Sequence, residues 1–344
     1  MRKIVITGID GAIARHYATS MLAEDPTRRV SLLGEPQGYA DPRAEKAAVD
    51  LLNDDLVSHI DGADAVVVVV GALIARLGCT NAVAAARRII EASHQAAFGP
   101  RRMIVVSSAV VYGARCDNPI PFTEAHPRRP LAESPYACAF AAVEEAAEWW
   151  SATTGGELAL VRPAVTLAPG EVDPMAARLR AATSRRPDQL DPPVQFLHVD
   201  DLVRALCLLT NVSEVGVFNV APAGWIDPEP FAALVSEDFF RVPRPVGELN
   251  LVLTDLVPSS GPTAGAEQYV AHPWVINNDR LLSLGWTPKV SNEEAYVLGN
   301  PTPLWRRVTQ GRRHELTLGA LGLVGAVGVA GLGVVVKSLP RWRL

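Results

Sequence analysis

Ile4-Val5-Ile6-Thr7-Gly8-Ile9-Asp10-Gly11-Ala12-Ile13-Ala14 places a short apolar run, a glycine-bearing turn and a helix-forming stretch in direct succession. An apolar run of this length reads as a strand, and the stretch that follows, to Ala23, reads as a helix. Between them the glycines permit a tight turn and close approach of a ligand to the backbone. The helix N-terminus favours an anion, so the unit has the layout of a dinucleotide phosphate loop. An ordinary strand-to-helix turn has the same look, so the rest of the chain must weigh in.

Further apolar runs follow at Val30 to Leu33, Ala65 to Val70, Met103 to Val106 and Leu158 to Val161, separated by helix-length segments. Continuous rather than alternating apolar runs indicate parallel strands buried on both faces and joined by crossover helices. The expected fold is therefore α/β, a doubly wound parallel Rossmann-type sheet. From about Pro169 to Val297 the chain becomes richer in proline, with breakers at Asp191-Pro192-Pro193, Pro228-Glu229-Pro230 and Pro243-Arg244-Pro245. This stretch, 169–297, is expected to form a small C-terminal substrate lobe of a unit spanning 1–297.

The 344 residues carry 37 acidic against 32 basic side chains, a net charge of -5, which gives no general attraction to nucleic acid. The four cysteines, Cys79, Cys116, Cys138 and Cys207, form no CxxC pair and have no histidines at ligand spacing, so no metal site is expected and reduced thiols are the plain reading. No export signal precedes Ile4.

Leu316 to Val336 is free of charge. A helix over 315–337 is expected to cross a bilayer, because about 20 apolar residues span its hydrocarbon core. Arg306, Arg307, Arg312 and Arg313 precede it and Lys337, Arg341 and Arg343 follow it. That bias puts the large domain on the cytoplasmic face of the cell membrane, with 298–314 as linker, a single-pass C-terminal anchor and a short tail, 338–344. Gly322, Ala326 and Ala330 form a small-residue stripe suited to a homodimer contact.

Several pieces recur in a fixed order: the loop above, Asp50-Leu51, Asn81, Val106-Ser107-Ser108-Ala109-Val110-Val111-Tyr112-Gly113, Glu124, Ser134-Pro135-Tyr136, Leu160-Val161-Arg162-Pro163-Ala164, Phe196-Leu197-His198-Val199-Asp200-Asp201, Phe218-Asn219-Val220 and Leu284-Gly285-Trp286-Thr287-Pro288. At these spacings residues 1 to 297 resemble the extended short-chain dehydrogenase/reductases of the NAD-dependent epimerase/dehydratase family. The resemblance implies an NAD or NADP cofactor held by Gly8, Gly11, Ala14, Asp50 and Leu51, with Tyr136 and Ser108 facing the nicotinamide as catalytic residues. It implies a small-molecule substrate, a nucleotide sugar or, given the anchor, an isoprenoid- or sterol-like lipid.

In that family a lysine four residues after the tyrosine holds the ribose; here the position is Phe140. A tyrosine of ordinary pKa, about 10, is only about 0.1% phenolate at pH 7, and a nearby ammonium is what makes it a useful base. Further departures are Asp10 within the phosphate loop, expected to repel pyrophosphate unless turned to solvent or paired with Arg15, and Gly34-Glu35, where the acidic residue comes one position late. Val66 to Val70 replaces a histidine-alanine segment. Together they imply a weakened or lost cofactor and a second possibility, a catalytically degenerate sensor or scaffold tethered to the membrane.

Plainer roles compete at each position. Tyr136 also reads as a structural tyrosine at a helix start, and Ser108 as a strand-end cap. His198 reads as part of a turn whose helix Asp200 or Asp201 caps. Glu144, Glu145 and Glu148 read as a solvated helix face, and Trp149-Trp150 as packing against the lobe or membrane. Arg162 is a candidate for a substrate phosphate, and Cys138 lacks an activating base.

Overall fold

A computed structural model describes residues 3–34, 39, 41–171, 173–185, 192–238, 265 and 267–299. Its centre is a seven-stranded sheet in the order β3-β2-β1-β4-β5-β6-β9, with every neighbouring pair parallel. The strands are β1 (Lys3–Thr7), β2 (Arg29–Gly34), β3 (Ala44–Ala48), β4 (Ala65–Val69), β5 (Arg102–Val106), β6 (Glu157–Pro163) and β9 (Gly216–Val220). β4 and β5 are buried at every residue, which is why their sequences run apolar without alternation.

From β1 the chain moves outward to β2 and β3, then returns to β4 and moves the other way. Right-handed crossovers therefore put α1 (Ala12–Glu24) and α3 (Val70–Gln95) on opposite faces of the sheet. α1 packs with α6 (Val199–Asn211), and α3 with α4 (Pro135–Thr154). α3 is broken at Gly78, whose φ of 75° lies outside helical space. A short α2 (Val57–Ile60) precedes β4. The strand order reverses between β1 and β4, and in open α/β sheets a ligand crevice forms at that point, outside the carboxyl ends of the strands.

The expected doubly wound sheet is present. Within 169–297, however, α6 and β9 belong to the main layers, because β9 continues the sheet beyond β6. What stands apart is a two-stranded parallel pair, β7 (Val165–Leu167) with β8 (Phe196–His198), and the helices α5 (Pro174–Arg185), α7 (Pro228–Asp238), α8 (Glu267–Ala271), α9 (Asp279–Ser283) and α10 (Asn292–Gly299). Phe196, Phe231 and Tyr296 close this part with mutual ring contacts of 5.1 to 5.5 Å. Leu316 to Val336, expected to cross the membrane, lies outside the described residues; among those described no helix is long and apolar enough to do so.

Candidate active-site cleft

The cleft lies at the crevice the topology predicts. Gly11 to Ile13, Val69, Gly71 and Ala72 at the β4–α3 junction, the end of β5 at Val106 to Ser108, Tyr136 and Phe140 of α4, Pro163 to Thr166, and Glu171 and Asp173 are among the residues that line it.

At the phosphate end, Gly8 has a φ of 73°, and a Cβ there would sit 2.9 Å from both the Ala72 Cβ and the Val69 carbonyl oxygen. A Cβ on Gly11 would come within 3.0 Å of the Ala72 Cβ. The glycines are thus demanded by the first turn of α3 pressing on the loop as well as by the turn itself. Ala14, fully buried, packs inward from α1. Gly11 offers no side-chain cap to α1, yet one of the free amides is engaged: Ala12 N–H donates to Glu171 Oε2 at 3.1 Å, and Arg15 pairs with the same carboxylate. Asp10 is paired, but with Arg76 at 2.7 Å rather than with Arg15, which donates to the Asp10 carbonyl instead.

At the other end stand Ser108 and Tyr136. Ser108 caps the 3₁₀ turn Ala109–Tyr112, its hydroxyl accepting from Val110 N–H at 3.4 Å, so the capping role is realised while the residue also lines the cleft. Tyr136 sits at the start of α4, which Ser134 caps and Pro135 opens. Burial pushes the Tyr136 phenol well above its ordinary range, and the Asp173 carboxylate adds to the shift. Phe140, 2% exposed, packs on the tyrosine ring. Asp173 caps α5 by accepting from Ala176 N–H at 2.8 Å, and burial raises its pKa from 3.8 to about 6. Among the described residues lining the cleft the charged ones are Glu171 and Asp173, both acidic.

Three of these residues were not singled out by sequence. Glu171 and Asp173 carry no local signal, since their partners lie elsewhere in the chain. Ser107 stands inside the quoted motif; it is 4% exposed, lines the cleft, and its hydroxyl has no hydrogen-bond partner among the described residues. A buried hydroxyl without a partner costs about 1–3 kcal/mol, so it marks a place for a polar ligand atom.

The remaining expected residues lie elsewhere. Asp50 is exposed and accepts from Leu52 N–H and Asn53 in a turn after β3, while Leu51 is buried beside it; neither lines the cleft. Gly34 ends β2, and Glu35 lies outside the described residues. Asn81 is exposed on α3.

Glu144 is fully buried, not solvated, because β6 delivers Arg162 beside it: Arg162 Nε and NH2 donate to the two Glu144 oxygens at 3.0 and 2.7 Å. Arg162 therefore faces Glu144 and the Tyr112 ring, 4.6 Å from its guanidinium, and does not line the cleft, although its Nη1 has no hydrogen-bond partner among the described residues. Tyr112 Oη in turn donates to Asn219 Oδ1 at 2.8 Å, and Asn219 N–H to Glu124. These motif residues form one structural network across β5, β6 and β9.

His198 itself caps α6 through Nδ1. Asp201 is buried; its carboxylate accepts from the amides of Lys289 and Val290 and its carbonyl from Trp286 Nε1 at 3.2 Å, so the Leu284 to Pro288 motif and the two residues after it clamp α6. Asp200 pairs with His16 at 3.1 Å instead of capping. Trp150 is buried, and Trp149 lies half-exposed against His94. No metal-holding group of His, Cys, Asp or Glu occurs among the described residues.

A doubly wound sheet with a glycine turn at its switch point, and a serine after a strand end and a tyrosine at a helix start lining the same crevice, defines a dinucleotide-fold protein. The sequence model of the NAD dependent epimerase/dehydratase family matches residues 4–221, and the chain belongs to that family. No curated protein matches it in sequence. Solved structures of similar fold include a UDP-galactose 4-epimerase, 21% identical over 89% of this chain and 100% of that one, with a TM-score of 0.61. The UDP-glucose 4-epimerase of the hyperthermophilic eubacterium Thermotoga maritima, solved with UDP-glucose, is 19% identical over 89% and 99%, with a TM-score of 0.63. The dTDP-glucose 4,6-dehydratase of Bacillus anthracis, solved with NAD, is 15% identical over 90% and 98%, also at 0.63. At these identities the likeness is one of fold.

The backbone frame fits a dinucleotide, and Ser107 offers it an unpaired hydroxyl. The side chains fit less well: a carboxylate stands at the phosphate end, and a phenylalanine beside the tyrosine.

Proposed function

We propose that the cleft binds a nicotinamide dinucleotide or a nucleotide sugar and that the protein works as a membrane-tethered sensor or scaffold rather than by hydride transfer. The observation that carries this reading is the surroundings of Tyr136. Phe140 occupies the place where a cation would be needed, and burial raises the phenol's pKa, with the Asp173 carboxylate adding to the shift. A phenol so placed donates a hydrogen bond at neutral pH but does not take up a proton. The unpaired Ser107 hydroxyl supports occupation of the cleft, and the ligands of the similar structures, UDP-glucose and NAD, direct the choice of probes. The tether rests on the uncharged run Leu316 to Val336 and its flanking arginines.

A second reading, an NAD(P)-dependent epimerase or dehydratase acting on a nucleotide sugar, is favoured by Ser108 and Tyr136 lining one cleft. Calorimetric titration with NAD⁺, NADH, NADP⁺, NADPH and UDP-glucose, followed by a turnover assay on whichever binds, separates the two. Binding without turnover supports the sensor. Turnover that vanishes in Tyr136→Phe establishes the enzyme, and no binding by folded protein overturns both.

A further inference from the structure

Residues Ala168 to Glu171 form a tight turn, closed by Glu171 N–H donating to the Ala168 carbonyl at 3.2 Å, with Pro169 second and Gly170 third at a φ of 82°. Proline and glycine at those two positions are what a type II turn requires, so the direction in which the chain leaves Gly170 is set locally. It carries Glu171 back to the N-terminus of α1, 159 residues earlier, where the carboxylate takes the Ala12 amide and the Arg15 guanidinium.

That position is the one a dinucleotide fold reserves for pyrophosphate, since unpaired amides and the helix dipole converge there. α1 has no acidic residue in its first turn and no side-chain cap, so its anion site is filled from outside the helix. The unpaired Ser107 hydroxyl in the same cleft independently marks a place for ligand. Arg15 and Arg76, the cations flanking the loop, face Glu171 and Asp10 respectively.

We infer that Glu171 is an internal competitor for the phosphate end of the cleft: its carboxylate holds the anion site of α1, and a nucleotide must displace it to bind. The inference rests on the nucleotide-binding reading above. Glu171 and Arg15 keep 40% and 34% of their side-chain surface exposed, so the contact is solvent-screened and a ligand with two phosphates can replace it. Displacement moves the carboxylate alone: the turn at Gly170 stays closed by its own backbone hydrogen bond, and Asp173, two residues on, still caps α5.

The test is calorimetric titration of the full-length chain, Glu171→Ala and Glu171→Gln with NAD⁺, NADH and inorganic pyrophosphate. Removing the carboxylate is expected to tighten binding of at least one of these by about fivefold, with Glu171→Gln showing a smaller gain. Unchanged or weaker binding of every probe by folded Glu171→Ala overturns the competitor. Should Glu171→Ala not fold, Glu171→Gln gives the answer: a gain supports the proposal and no gain overturns it. A gain for pyrophosphate alone, with neither dinucleotide bound by any form, leaves the competitor standing and removes the dinucleotide reading.

Discussion

Phe140 meets Tyr136 edge to face, their ring centroids 5.0 Å apart and their planes at 81°. One turn of α4 separates the two residues, so the ring fills the volume in which a lysine at 140 would carry its ammonium. Tyr136 consequently has an apolar partner where its chemistry calls for a charged one.

Phe140→Lys tests that substitution directly. The ammonium is expected to lower the Tyr136 pKa, read as a shift of one phenol in an ultraviolet pH titration against Phe140→Lys carrying Tyr136→Phe. Exchanging a ring that is 2% exposed for a charge should also cost roughly 3 kcal/mol or more of stability. A folded variant with an unshifted phenol would refute the role given to Phe140.

Asp173 supplies a pH prediction. Its folded-state pKa of about 6 lies above the ordinary 3.8, so between those values the native state holds a proton that the unfolded chain has released. Stability from this group is therefore complete below the lower value and declines as pH rises to the upper one. Asp173→Asn keeps the cap on α5 and should match the parent in urea unfolding at low pH while exceeding it at pH 7. Equal stabilities at both pH values would count against the shift.

The buried pair Arg162–Glu144 predicts a contrast along one helix. Glu144→Ala strands a guanidinium that is 3% exposed and should cost about 3–5 kcal/mol. Glu148→Ala removes a carboxylate that is 45% exposed and pairs with Arg128, for a loss of about 1 kcal/mol or less. Equilibrium unfolding of the two variants checks the difference, and equal losses would contradict it.

Gly8 and Gly170 separate backbone strain from packing. Both have φ near the left-handed region, but a Cβ at Gly170 meets nothing within 4 Å, whereas one at Gly8 strikes Ala72 and Val69. Gly170→Ala should lose about 1–2 kcal/mol from strain alone. Gly8→Ala should lose clearly more, measured by thermal unfolding.

For the tail, the full chain is expected to float with lipid vesicles while residues 1–314 remain in the aqueous fraction. Equal flotation of both forms would remove the anchor from 315–337.

Five strands of the sheet were legible because burial on both faces leaves an unbroken apolar run, as in Ala65 to Val69. β3 was not: Ala44-Glu45-Lys46-Ala47-Ala48 has helix-forming composition, and it is extended here by pairing with β2 at the sheet edge. β9 is legible as a motif but not as a strand of the main sheet, since nothing in Phe218-Asn219-Val220 says that its partner is β6. At the site, the glycine turn, Ser108, Tyr136 and the loss of lysine at 140 could all be read, because they are matters of residue type at fixed spacing.

The chain's own order of apolar runs, glycines and motif residues determined the doubly wound fold and the family, since strand burial and turn geometry act over a few residues. Tertiary structure alone decided what the charges do. Glu144 became a buried ion pair because Arg162 arrives from β6, and Glu171 became an anion at the start of α1 because a turn 159 residues away points there. A carboxylate looks the same in sequence whether it faces water, an arginine or a helix terminus; its surroundings, and so its energy, are set by packing between distant segments.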